Sequence, residues 1–153
     1  MWILIARHGK AEEKKVDQPD EARRLTAEGR KDVEMVAKLL PIKPSVVYSS
    51  PLKRAIETAE IIAKVWNIEV RIIDELRPEL TSLERLKSIE VLDRMLLVGH
   101  APSIEDLLSE LIGGGRIALK AGAIAGLEAE EFKRNKAVLR FLIIPNIAKL
   151  CFQ

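Results

Sequence analysis

Histidine and cysteine are scarce in this chain: two of the first and one of the second among 153 residues. A single thiol, Cys151, excludes an internal disulfide and fits a reducing compartment. Aromatic residues make up only 4%, and no basic run is interleaved with them, so the footprint of a nucleic-acid or anionic-membrane binder is missing. An excess of one charge is missing too, since 25 basic residues face 23 acidic ones for a net +2. No apolar run reaches membrane-spanning length, and FLIIPNIAKL is broken by Pro145 and Asn146. The apolar stretch Trp2–Ala6 is too short for a secretory signal and has no basic region before it. These absences predict a soluble, cytoplasmic protein without nucleic-acid or membrane partners. Repeats, low-complexity tracts and linkers are also lacking, so one domain over residues 1–153 is expected, large enough to bury a core.

What the chain does contain is an alternation of short apolar runs with helical patterns. WILIA (Trp2–Ala6) reads as a strand covered on both faces. Thr26 is a plausible N-cap for a helix carrying Val33, Val36, Ala37 and Leu40 at helical spacing, stopped by Pro41 and Pro44. SVVY (Ser45–Tyr48) is a second strand. Ser50 as cap and Pro51 in the first turn predict a helix whose stripe runs from Leu52 through Ala55, Ala59 and Ile62 to Trp66, with Asn67 as its stop. EVRII (Glu69–Ile73) is a third strand, and Thr81-Ser82-Leu83-Glu84 a capping-box pattern. MLLV (Met95–Val98) precedes a helix with Ile104, Leu107, Leu108 and Leu111 on one side and Gly113-Gly114-Gly115 at its end. Two closing strands are expected around Ala123–Leu127 and Ala137–Ile144. The fold class predicted is α/β, a three-layer sandwich with a largely parallel central sheet flanked by helices.

In such sheets ligands sit beyond the carboxyl ends of the strands. Both histidines stand there: Arg7-His8-Gly9 follows the first strand and Gly99-His100 follows MLLV. A histidine closing a strand can be nothing more than a hydrogen-bonded end residue. Three features argue for more: Arg7 precedes His8, Gly9 lets backbone turn closely around a ligand, and the second histidine occupies a matching position. Arg54 lies about one turn into the Ser50-Pro51 helix, where its side chain leans back toward the sheet edge, although a solvated surface arginine would carry the same letter. Two arginines and two histidines converging on helix N-termini would make an anion site, because guanidinium forks match phosphate oxygens in pairs. Nearby positive charge would keep imidazole neutral, its nucleophilic form.

The blocks RHG, SSPLKRAIETA and GH, each after a strand and in this order, resemble the histidine phosphatase (phosphoglycerate mutase-like) superfamily. LTAEGRKDVEMVAKLL, ELRPELTS, GHAPSIEDLLSELI, AIAGLE and NIAKL look most like its short SixA-type phosphohistidine phosphatases. The resemblance implies that His8 is the nucleophile and becomes a phosphohistidine. It also implies that Arg7, Arg54 and His100 form the phosphate pocket, with Gly9 and Ala101 beside the substrate. No metal and no cofactor are implied. The substrate implied is phosphohistidine in a phosphorylated protein or a small phosphomonoester. For the acid/base, Glu79 in RPELTS is the first candidate and Glu75 the second, and either can equally be a solvated loop carboxylate.

The chain departs from the family pattern in three places. Lys10 and AEEKK follow RHG where many relatives carry Glu or Gln and then Asn. GHAP replaces GHGG. Only positions 55 to 99 separate Arg54 from His100, too few for a large lid. An open pocket of that kind suits a phosphate displayed on a protein surface and disfavours a mutase, whose phosphoenzyme must be shielded from water. Two other readings stay open: a phosphate-binding module without turnover, and a metal-dependent hydrolase using His8, His100 and carboxylates. The second lacks compact ligand spacing. DQPDEARR is expected to be a solvated loop and a candidate rim for partner docking.

Overall fold

The computed structural model describes residues 1–153. Its strands are β1 (Trp2–Arg7), β2 (Val46–Ser49), β3 (Val70–Ile72), β4 (Met95–Gly99), β5 (Ile124–Ala129) and β6 (Ala137–Ile143). They form one sheet in the order β3-β2-β4-β1-β5-β6. The first four strands are mutually parallel where they pair, and β5 and β6 run antiparallel at one side. The predicted α/β sandwich with a largely parallel sheet is what forms.

Side chains alternate across this sheet with the period of two that strands impose. Ile3, Ile5, Val46, Tyr48, Met95 and Leu97 point into one core layer, under α3 (Leu83–Leu86) and α4 (Ser103–Ile112). Leu4, Ala6, Val47, Leu96 and Val98 point into the other, under α1 (Ala27–Lys38), α2 (Lys53–Trp66) and α5 (Pro145–Cys151). Central strands with both faces covered need apolar residues at every position, which is why WILIA and MLLV read as unbroken runs. No helix is long and apolar enough to cross a membrane.

Local chemistry sets most element ends as the sequence predicts. Thr26 caps α1, its hydroxyl accepting from Gly29 N at 2.9 Å. Asn67 closes α2 in the left-handed conformation and Gly113 does the same for α4. Two expectations need correction. Helix α2 starts at Lys53, with Leu52 as its N-cap, so Ser50 does not cap it and Pro51 lies ahead of its first turn. Ser82, not Thr81, caps α3: Ser82 Oγ accepts from Arg85 N, while Thr81 Oγ1 donates to the Arg77 carbonyl. The closing strand expected over Ala137–Ile144 forms as β6, and Pro145 then opens α5, the first-turn position in which its missing N–H costs nothing.

The parallel pairing of β1 with β4 decides where the histidines go. Arg7 is in register with Gly99, and His8 N donates to the Gly99 carbonyl at 3.1 Å. The two strand ends therefore meet.

Helix α1 approaches the segment after β1 so closely that a Cβ on Gly29 would run into the backbone of Lys10. Glycine-to-alanine changes inside a helix normally stabilise by about 1 kcal/mol. Here the sign reverses: Gly29→Ala is expected to lower stability by about 1–3 kcal/mol, the usual cost of overpacking, measured as a fall in the urea unfolding midpoint.

Candidate active site

Beyond the carboxyl ends of β1 and β4 lies a cavity of about 420 Å³, lined by Arg7, His8, Gly9, Arg54, His100 and Ala101 together with Lys10, Lys14, Asp20 and Arg23. The sequence-predicted residues thus converge, except for the two acid/base candidates. Glu79 is exposed and is not part of the lining, to which its neighbour Pro78 contributes instead. Glu75 faces a separate surface hollow with Ser88, whose hydroxyl lies 3.5 Å from it.

The imidazoles of His8 and His100 are 5.0 Å apart, centroid to centroid. His8 Nδ1 lies 2.7 Å from the Gly9 carbonyl oxygen. A carbonyl only accepts, so Nδ1 carries the ring proton and Nε2 keeps its lone pair. Arg54 Nε donates toward that Nε2 at 3.3 Å. Gly9, whose carbonyl fixes the tautomer, is itself held, its N–H donating to Thr58 Oγ1 at 3.0 Å.

His100 is tied to Ser50 through a 2.8 Å contact between Nε2 and Oγ. That hydroxyl accepts from Leu52 N and has no other acceptor in reach, so it donates to Nε2 and the ring proton sits on Nδ1. His100 Nδ1 and Arg7 Nε are both buried without a hydrogen-bond partner. Arg7 does spend one nitrogen, NH1, on the Leu119 carbonyl at 2.8 Å. Buried donors left unpaired are costly, and both of these belong to residues that line the cavity.

Asp20 is the one carboxylate in the lining, among five basic side chains. A 3-10 turn over Asp20–Ala22 brings it in from the loop between β1 and α1. Arg54 NH1 donates to the Asp20 carbonyl at 2.9 Å and NH2 to Oδ2 at 3.2 Å, while Arg23 Nε donates to Oδ1 at 2.8 Å. On its outer side the turn is latched by Arg77, which donates to Glu21 at 2.9 Å. DQPDEARR is thus not wholly the solvated loop its letters suggest: two of its charged residues wall the cavity. Asp20, Arg23 and Thr58 were missed by sequence reasoning, and the only available signal was the density of charge just after the RHG block. No group of three or more His, Cys, Asp or Glu side chains is placed to hold a metal ion.

A sequence profile of the histidine phosphatase superfamily (branch 1) matches residues 3–95, more than half of the chain. The chain belongs to this superfamily. Among solved structures, it is similar to the protein histidine phosphatase SixA complexed with tungstate: 22% identity, 96% of this chain and 99% of that one covered, TM-score 0.81. A protein assigned as the phosphohistidine phosphatase SixA of Agrobacterium tumefaciens gives 23% identity, 94% and 97% coverage and a TM-score of 0.79. The alpha-ribazole phosphatase of Shigella flexneri gives 19% identity, 95% and 97% coverage and a TM-score of 0.73. At these identities the likeness is one of fold, the phosphoglycerate mutase-like sandwich. A sequence search among curated proteins returns no significant match.

Electrostatics in this histidine phosphatase site favour neutral imidazoles. Burial lowers the pKa of His8 to about 4, assisted by the charges of Arg54, Arg7 and Arg23 and opposed by the bond to Gly9 O. Burial, then the charges of His8 and Arg54, lowers His100 to about 3. For Asp20, burial pushes the carboxyl upward, but the Arg23 hydrogen bond and the charges of Arg54 and Arg23 outweigh it, and the net shift is downward.

Both histidines bind a proton more readily in the unfolded chain, near pH 6.5, than in the folded one. Stability is therefore fully supported above pH 6.5 and falls with decreasing pH, each histidine contributing a slope of up to about 1.4 kcal/mol per pH unit. Urea unfolding between pH 7 and pH 5 is expected to show this decline, and the double variant His8→Asn, His100→Gln to flatten it.

Proposed function

We propose that this chain is a metal-independent phosphatase that works through a phosphohistidine on His8, removing phosphate from phosphohistidine in a protein or from small phosphomonoesters. The observation that carries the reading is the fixed tautomer of His8. Its Nδ1 proton is committed to Gly9 O, so the Nε2 lone pair faces a cavity ringed with guanidinium groups. In-line transfer would form the Nε2–P bond while the bond from phosphorus to the leaving group breaks, and water would then release phosphate and restore His8. Phosphoryl transfer asks a protein chiefly for position and compensating charge. Arg7 and Arg54 supply positive charge, and His100 Nδ1 supplies a neutral donor that no protein group uses.

Family membership supports phosphatase activity, and the fold shared with SixA structures supports phosphohistidine as the substrate class. The open cavity supports a phosphate presented from outside rather than a small molecule that must be enclosed.

Incubation with labelled phosphohistidine or an aryl phosphate in excess chelator, followed by alkaline quench, tests the reading. Acid-labile, alkali-stable label is expected on the peptide containing Arg7-His8-Gly9, and His8→Ala should abolish both label and turnover. Hydrolysis by the intact enzyme without label in single turnover would exclude the covalent route. Phosphate binding without turnover would identify a recognition module. Because free His8 protonates only near pH 4, kcat/KM should show no acid-side inflection near pH 6.5.

A further inference from the structure

We propose that Asp20 is the base that takes a proton from the hydrolytic water, and that the substrates of this site are phosphoryl compounds whose leaving group departs without an acid: phosphoramidates such as phosphohistidine, and acyl or aryl phosphates rather than alkyl ones. The proposal rests on the reading of His8 as the nucleophile. It deepens that reading by assigning the second half of the reaction and the chemistry of the leaving group.

The geometry runs through Arg54. One guanidinium faces both His8 Nε2, at 3.3 Å, and Asp20 Oδ2, at 3.2 Å, so the carboxylate stands one residue away from the point of attack. Its other oxygen is held by Arg23 Nε at 2.8 Å, and Arg23 is anchored in turn by donation from NH1 to the Glu12 carbonyl at 2.8 Å. A phosphoryl group on His8 Nε2 draws the Arg54 donors to its own oxygens. Asp20 then keeps Arg23 through Oδ1, and Oδ2 is released beside the phosphorus, on a turn that Arg77 and Glu21 hold in place.

A carboxylate between two guanidinium groups is ionised at neutral pH and has no proton to give. The downward shift of Asp20 agrees with this. No second carboxyl lines the cavity, Glu79 being exposed outside it and Glu75 facing Ser88. The first step therefore runs without a protein acid. The Nε2 lone pair of His8 forms the N–P bond, and the electron pair of the breaking P–N or P–O bond stays on the leaving atom. An alkoxide formed this way is too basic to depart at a useful rate. A phenolate or carboxylate departs readily, as does an imidazole already protonated on its far nitrogen. In the second step water forms the new P–O bond, its proton goes to Asp20 Oδ2, and the N–P electron pair returns to His8. Asp20 passes the proton to solvent when phosphate leaves.

The wild-type enzyme should be assayed on an aryl and an alkyl phosphate, and Asp20→Asn on the aryl phosphate by rapid quench. The wild type is expected to favour the aryl ester by at least about 1000-fold, the scale on which missing acid catalysis is felt. Asp20→Asn should lower kcat about 100-fold, leave kcat/KM within about threefold, and release one equivalent of phenol in a burst as phosphoenzyme accumulates on His8. Comparable wild-type rates on both esters would overturn the leaving-group assignment, and this comparison needs no variant. A parallel fall of kcat and kcat/KM in Asp20→Asn, with no burst, would overturn the role as base and leave Asp20 a structural partner of Arg54. Wild-type hydrolysis that never labels His8 has a different signature and would overturn the nucleophile reading on which the proposal rests.

Discussion

The site depends on one residue, Gly9. Its carbonyl accepts from His8 Nδ1 and so sets the tautomer, and its N–H donates to Thr58 Oγ1 on α2. Thr58 in turn donates to the Arg54 carbonyl at 2.8 Å. His8 and Arg54 are thereby registered against each other through Gly9 and Thr58. Any Cβ at position 9 would come within 2.7 Å of the Val33 side chain and 3.2 Å of the Gly29 carbonyl. Glycine is needed here for close approach, because α1 and the RHG segment share the space a side chain would fill.

Around Gly9 the protein holds charge that a closed core could not. Two imidazoles stay neutral because each is buried beside positive charge, and the guanidinium groups keep their protons because theirs are far harder to remove. Within the lining the only anionic compensation comes from Asp20, brought in by a turn whose Glu21 pairs with Arg77 on the outer side. The result is a preorganised set of donors with net positive charge, stationed where the sheet ends and the dry core gives way to water. Preorganisation of this kind would serve the proposed phosphoryl transfer, because the donors are in place before charge moves.

How far the sequence reveals this follows from the range of the interactions. Strands buried on both faces announce themselves, since every residue of WILIA and MLLV must be apolar. The positions of His8, His100 and Arg54 could be read because each follows a recognisable strand or helix start. That β1 lies beside β4 is a non-local fact, and only the pairing of Arg7 with Gly99 shows the two histidine corners to be one place. Asp20 is a harder case: its partner Arg54 is 34 positions away, and a carboxylate in a dense charged loop looks the same whether it faces water or a guanidinium. Ser50 reads as a helix cap, yet its hydroxyl serves His100, 50 positions on. In RPELTS the letters draw attention to Glu79, whereas the structure uses Arg77, which latches the Asp20 turn, and Pro78, which lines the cavity.

Helix α2 shows why the same residues can look apolar in sequence and act as an electrostatic frame. Its stripe of Ala55, Ala59 and Ile62 packs on the sheet, and this is the pattern that periodicity detects. Arg54, Glu57 and Thr58 stand at spacings of three and four beside it, on an adjoining strip that is also buried. Arg54 faces the cavity and Thr58 holds Gly9. Glu57, only 3% exposed, accepts from Leu25 N at 2.8 Å and Arg24 Nε at 3.2 Å and pairs with Arg30. A buried carboxylate with three donors is tolerated, whereas one left unpaired would cost several kcal/mol. Glu57 therefore fixes where the loop carrying Asp20 and Arg23 rejoins α1, one helical turn from the arginine those residues meet. Because the three side chains share one rigid element, the cavity-facing guanidinium, the glycine that orients His8 and the end of the charged loop hold their places relative to one another.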